Sequence, residues 1–207
     1  MWGKKNAPIG VGFTDEDVES IDFTAFPRLT HLAVISGSSK PITDRSLVHL
    51  GTIKSELQTF DISYGQVSDK AVIVLLKKQR ALFTAVFSHT DIGDSAASEF
   101  ATLERLRILG LAGTKVSDKG LKELGKLDLL ISLDLSQTEV SDAGMAEVKR
   151  MTGLIHLSLE GTRVTDAGIL ELGALRKLRS LSVSSTNVTQ AGKDALQKLL
   201  PELKFDK

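Results

Sequence analysis

Apolar and polar positions along this chain follow one phrase. A leucine opens it at Leu82, Leu106, Leu130, Leu154 and Leu178, each 24 residues after the last. With φ for an apolar residue the phrase is L-x-x-L-x-L-x-x-T-x-V-[ST]-D-x-G-φ-x-x-φ-x-x-φ, complete in LRILGLAGTKVSDKGLKELGKL from Leu106. Two periods sit inside it. The Leu-x-Leu alternation is that of a short strand with one apolar face, and the closing apolar triplets carry the helical period. Strands are predicted around Leu109–Leu111, Leu133–Leu135 and Leu157–Leu159, and helices from near Ser117, Ser141 and Thr165. A strand and a helix recurring at this period predict a solenoid, in which each rung buries its apolar side against the next.

The phrase continues in both directions with less regularity. From Leu82 the rung has Ala85 and Phe87 at leucine positions and Ala96 at the glycine position; from Leu57 it has one residue extra and Gly65 for the threonine. The rung from Leu29 carries about four additional residues, mostly in Ser36 to Pro41. Ahead of it Phe13, Thr14 and Asp15 repeat the signature, and at the far end Leu200, Leu203 and Phe205 restate the strand. The reading is a single domain over 1–207: a half rung or cap at 1–28, seven rungs at 29–199, and a terminal strand or cap at 200–207.

Each polar position has a predicted task. The threonines Thr90, Thr114, Thr138, Thr162 and Thr186 can give a hydroxyl to a loop carbonyl, a bond worth roughly 1 kcal/mol net. Ser or Thr followed by Asp, as in Ser117-Asp118, Ser141-Asp142 and Thr165-Asp166, caps a helix and opposes its dipole. Gly120, Gly144, Gly168 and Gly192 lie in the first helical turn, where glycine costs about 1 kcal/mol against alanine. Close approach of helix to sheet is the expected return.

The phrase resembles the threonine-turn leucine-rich repeats of bacterial, notably planctomycete-type, proteins within the ribonuclease-inhibitor-like superfamily, over roughly Phe13 to Phe205. The ending LQKLLPELKF is similar to the family's usual terminus. The resemblance implies an α/β, right-handed leucine-rich repeat solenoid with a parallel sheet on the concave face and helices on the convex face. It also implies a role in protein recognition, and it assigns no site.

Composition narrows the classes. Hydrophobic residues are 42% and aromatics 5%, with no long apolar run, so the core is aliphatic and no membrane span is read. There is no cysteine, hence no disulfide framework or thiolate site. Met1 to Pro8 is not followed by a signal-peptide core, which favours the cytoplasm unless a leader has been removed. Formal net charge is zero, giving no general pull toward nucleic acid or anionic lipid. Asn187-Val188-Thr189 fits a glycosylation sequon but occupies an ordinary turn position.

Function in a solenoid falls to the outward ladders across its strands. The third positions are His31, Thr59, Thr84, Ile108, Ser132, His156 and Ser180; the fifth include Asp61 and Asp134. The seventh and eighth include Ser63, Ser136, Glu160, then Ser36, Tyr64, His89, Gly113, Gln137, Gly161 and Ser185. Acids appear there without lysine or arginine, which disfavours phosphate and so nucleic acid. The chain's one tyrosine, Tyr64, stands beside His89 near the Ser36 to Pro41 insertion, an anchor ringed by small polar groups. The candidate protein-binding residues are Ser36, Lys40, Asp61, Tyr64, His89, Asp134, Gln137, His156 and Glu160.

An enzymatic reading is drawn through Asp134, His156 and Ser132 or Ser180. It lacks a nucleophile elbow, an oxyanion hole and an enclosing pocket. His31, His89 and His49 cannot converge on one ion, so no metal site and no cofactor is read. The expectation is a non-enzymatic, monomeric scaffold binding a protein or peptide. Other readings are a substrate-recognition module of a ubiquitin-ligase-like or effector assembly, and a rigid spacer.

Overall fold

The computed structural model describes residues 9–10, 18, 20–22, 29–33 and 41–206. Nine strands form one parallel sheet in chain order: β1 (Ile9–Gly10), β2 (His31–Ala33), β3 (Thr59–Asp61), β4 (Thr84–Val86), β5 (Ile108–Gly110), β6 (Ser132–Asp134), β7 (His156–Ser158), β8 (Ser180–Ser182) and β9 (Lys204–Asp206). Helices α1 (Asp44–Leu50), α2 (Asp69–Lys78), α3 (Asp94–Phe100), α4 (Asp118–Leu124), α5 (Asp142–Val148), α6 (Asp166–Glu171) and α7 (Gln190–Leu199) alternate with β2 to β9. Consecutive strands and consecutive helices are neighbours throughout. The architecture is an α/β leucine-rich repeat solenoid with one sheet face and one helix face.

Strand register follows the sequence ladders: His31, Thr59, Thr84, Ile108, Ser132, His156 and Ser180 pair in succession. The strands centre on Leu109, Leu133 and Leu157, while Leu111, Leu135 and Leu159 fall just past them, still buried. Leu121 and Leu124 are buried from α4, and Leu127 is buried from the turn beyond it. Every predicted threonine bond is present. Thr90, Thr114, Thr138, Thr162 and Thr186 each donate a hydroxyl to the carbonyl three residues back at 2.6 Å.

The irregular rungs are repaired locally. Where alanine replaces leucine at Ala85, larger rings fill the space: Phe87 lies 5.6 Å from Phe60 and 5.1 Å from Phe100, centroid to centroid. The longer rung from Leu57 brings Gln79 into the interior. Its Oε1 accepts from the Leu57 N–H at 2.9 Å and its Nε2 donates to the Ile53 carbonyl, so no amide group is stranded.

The capping acids act between rungs. Ser117, Ser141 and Thr165 cap their own helices as expected, accepting from Lys119, Ala143 and Ala167. The Asp beside each cap stays in the first turn of its own helix and also reaches forward: Asp94 accepts from the N–H and hydroxyl of Ser117 and from the Gly120 N–H. Asp118 holds Ser141, Asp142 holds Thr165 and Asp166 holds Thr189 in the same way. This corrects the role assigned to the first-turn glycines. A Cβ on Gly120 would lie 2.7 Å from Asp94 Oδ1, and one on Gly144 would lie 2.6 Å from Asp118 Oδ1. The space is needed by the carboxylate of the preceding rung.

Candidate functional site

The sheet face is built by the strand alternation, which turns Leu32, Phe60, Leu109, Leu133, Leu157 and Leu181 inward and their neighbours outward. Past each strand the chain must turn toward the helix layer. The turn falls on the eighth ladder position, where Tyr64, His89, Gly113, Gln137, Gly161 and Ser185 all have φ between 55° and 66°. Sequence reasoning treated this as a continuing strand ladder. It is instead a row of left-handed residues, and glycine at two of the six positions was the available sign.

That geometry produces the most distinctive feature of the face. The Tyr64 and His89 rings stack at 4.6 Å between centroids with 12° between planes. The His89 ring covers Gly113 in turn, so that a Cβ there would lie 2.9 Å from its Cε1. The column is therefore seated on a glycine and directed by two left-handed residues, whose N–H groups bond to Ser88 and Ala112 carbonyls at 2.8 and 2.6 Å. Tyr64 keeps 57% of its surface exposed. A non-glycine residue in this conformation costs of order 1 kcal/mol or more, and Gln137 and Ser185 share it, so the turn belongs to the repeat while the ring stack is particular to Tyr64 and His89.

Other candidate residues are dispersed. Asp61 accepts from both the N–H and the hydroxyl of Ser63, at 3.1 and 2.8 Å. Asp134 repeats the motif with Ser136 at 2.9 and 2.6 Å, and Ser136 is bonded onward to Ser158. Gln137 is exposed, its backbone bonded to the Glu160 carbonyl and its side chain lying over Gly161. Glu160 is half-buried and His156 exposed. Ser36 and Lys40, with the insertion around them, lie outside the described residues. The structure thus joins Tyr64 to His89, and leaves Asp134, Gln137, His156 and Glu160 as a separate acidic stretch several strands away.

The Ser-His-Asp grouping does not assemble. Asp134 is engaged by Ser136, Ser180 donates to Asp206, and no hydrogen bond joins His156 to either. Asp206 and Lys204 also amend the ladders, since β9 adds Lys204 beside Ser180 and one cation to the face. Among the described residues no three or more His, Cys, Asp or Glu side chains are grouped to hold a metal, and no helix is long and apolar enough to cross a membrane.

A second exposed apolar area was read from the sequence only at Ile108, which the outward ladder includes. Phe83, Ile108 and Leu129 are 46%, 38% and 51% exposed at the strand-entry side of β4 to β6. The Arg107 guanidinium lies 5.8 Å from the Phe83 ring centroid. Some basic residues of the helices and turns are paired from rung to rung. Examples are Lys115 with Asp91 at 2.6 Å and Lys149 with Glu171 at 2.7 Å. Asp91 holds the Lys115 ammonium above its ordinary range.

No protein-family model matches this sequence, and no curated protein is similar to it. The fold does have solved counterparts. An internalin from Listeria monocytogenes superposes with a TM-score of 0.59 at 18% identity, covering 86% of this chain and 53% of the other. A leucine-rich repeat protein from Leptospira interrogans gives 0.55 at 16% identity, covering 87% and 48%. The chain spans about half the length of each. These likenesses establish a leucine-rich repeat protein by fold.

Proposed function

We propose that this chain is a non-enzymatic recognition scaffold that binds a protein or peptide on its sheet face, centred on Tyr64 and His89. The observation that carries the reading is the seated ring stack. It presents one open tyrosine face already fixed in place, so little side-chain freedom is lost on binding. Asp61 on β3 and the Ser63 and Ser88 hydroxyls supply polar recognition, and Ser36 and Lys40 are proposed as further contacts on sequence grounds. Asp134, Gln137, His156 and Glu160 form a second, acidic contact area further along. Their carboxylates suit a partner that brings basic or hydrogen-bond-donating groups rather than phosphate.

The threonine-turn phrase supports placing the chain with bacterial leucine-rich repeats of the ribonuclease-inhibitor-like type, with 1–207 forming one repeat domain. The broken Asp134–His156–Ser180 geometry supports the absence of catalysis. The test is selection from a displayed random-peptide library on the full chain. Peptides recovered on the native protein should be lost on Tyr64→Ala and retained on Lys122→Ala, on the helix face. A library that enriches equally on Tyr64→Ala would reject the site.

A further inference from the structure

We infer that the partner of the sheet face is an extended peptide segment lying across β3 to β6, with a cationic, an apolar and a second cationic side chain at alternate positions. This rests on the reading of that face as a recognition surface. Asp61, Val86, Gly110 and Asp134 stand in register on four successive strands. Two carboxylates therefore bracket an apolar floor in one row across the face. Val86 leans over Gly110, so that a Cβ on the glycine would lie 2.9 Å from its Cγ1. Ile108, 38% exposed, widens the floor one step back along β5.

The two acids are held alike. Oδ1 of Asp61 accepts the N–H and hydroxyl of Ser63, and Oδ1 of Asp134 accepts those of Ser136. Each carboxylate is thereby fixed in orientation, and its Oδ2 has no hydrogen-bond partner among the described residues. No lysine or arginine occurs in β2 to β8, so these strands supply no cation to either acid. The complementary charge is the partner's.

Spacing selects the conformation of the segment. Neighbouring strands lie about 4.8 Å apart, which sets the two acids about 14 Å apart across three intervals. An extended chain advances about 3.3 Å per residue and turns every second side chain to the same side. Residues i and i+4 of such a segment are then about 13 Å apart, with i+2 facing the same way. Cations at i and i+4 meet Asp61 and Asp134 while an apolar residue at i+2 rests on Val86 and Gly110. A helix fits less well, because its same-face positions seven and eleven residues on lie at about 10.5 and 16.5 Å. The seventh-position row beside this path is small, with Ser63, Ser88, Ala112 and Ser136, and leaves clearance for the segment's backbone.

The probe is a set of fluorescein-labelled synthetic decapeptides of serine and threonine around one leucine, with two lysines three, four or six residues apart. Anisotropy titrations on the full chain at low ionic strength should show the four-residue spacing, with leucine midway, binding about fivefold or more tighter than the others. Asp61→Asn and Asp134→Asn keep the Oδ1 acceptor and remove the charge. Each should weaken that peptide by about threefold or more, and added salt should do the same. Glu104→Gln, exposed before β5, should change nothing. Circular dichroism melts identify any variant that has not folded. Absence of binding, affinity indifferent to spacing, or affinity unchanged in both Asn variants overturns the inference. If that happens while Tyr64-dependent peptides are still recovered from the random library, the cation pattern is rejected and sheet-face recognition stands. Failure of both rejects the face itself.

Discussion

Asp118 and Ser141 lie on successive rungs and are locked together by two bonds: Asp118 Oδ1 accepts the Ser141 N–H at 2.9 Å and Oδ2 accepts its hydroxyl at 2.6 Å. A side chain that opens one helix therefore holds the cap of the next. Asp118→Ala should cost about 1–2 kcal/mol in denaturant unfolding, as a charge-assisted bond lost beside a helix cap. A double-mutant cycle with Ser141→Ala should show coupling between the rungs; strict additivity would contradict the assignment.

Gly144 offers a test in which two effects oppose. Alanine gains about 1 kcal/mol over glycine in helix propensity. Its Cβ, however, would lie 2.6 Å from both Asp118 Oδ1 and Leu121 Cδ1. Steric displacement of the carboxylate should win, so Gly144→Ala should destabilise the protein. Adding Asp118→Ala to that variant should recover part of the loss. A stabilised single variant would show that the glycine serves no such contact.

Leu133 is almost wholly buried at the centre of β6. Leu133→Ala should cost about 2–5 kcal/mol through lost burial and the cavity left behind. A loss below about 0.5 kcal/mol would mean that the strand register is wrong.

Acid should weaken the contact between Asp166 and Thr189 on the last two helices. The Thr189 hydroxyl, and then its backbone N–H, hold the Asp166 carboxyl below its ordinary range. A carboxylate lowered on folding contributes stability that is present above its unfolded pKa and is lost as pH falls through the lower folded value. Carboxyl NMR titration should show Asp166 moving upward in Thr189→Val, and Asp166→Asn should flatten the acid limb of stability against pH. An unchanged Asp166 titration in Thr189→Val would remove the hydroxyl as the cause.

Much of this fold is legible in the sequence because strand and helix periods repeat without interruption from Leu106 onward. The threonine bonds follow from the same regularity, since one residue type at one turn position admits one local partner. The forward reach of Asp118 is not legible in that way, because cap preferences describe a residue within its own helix and say nothing of the rung beyond. The left-handed turn at Tyr64 is hidden for another reason: tyrosine, histidine, glutamine and serine occupy most of those positions, and none of them announces a positive φ. Of the candidate site, the neighbourhood of Tyr64 and His89 was evident from ladder spacing. Their parallel stacking on Gly113 depends on that unseen turn. The exposure of Phe83 and Leu129 depends on the shape of the strand-entry turns, where the repeat phrase leaves residue type free.

Replacing Tyr64 tests the central claim most directly, because a residue kept for binding and one kept for folding respond oppositely. With φ of 63° at this position, Tyr64→Gly relieves backbone strain while deleting the exposed ring. Stability by denaturant unfolding and affinity by calorimetry, using a peptide selected on the native chain, should be measured on the same samples. The predicted result is stability equal to or above the native protein, with affinity weakened by about 2 kcal/mol or more, while Lys122→Ala changes affinity by less than about 0.5 kcal/mol. Unchanged affinity with lowered stability, or a larger loss from Lys122→Ala, would contradict recognition through the sheet face.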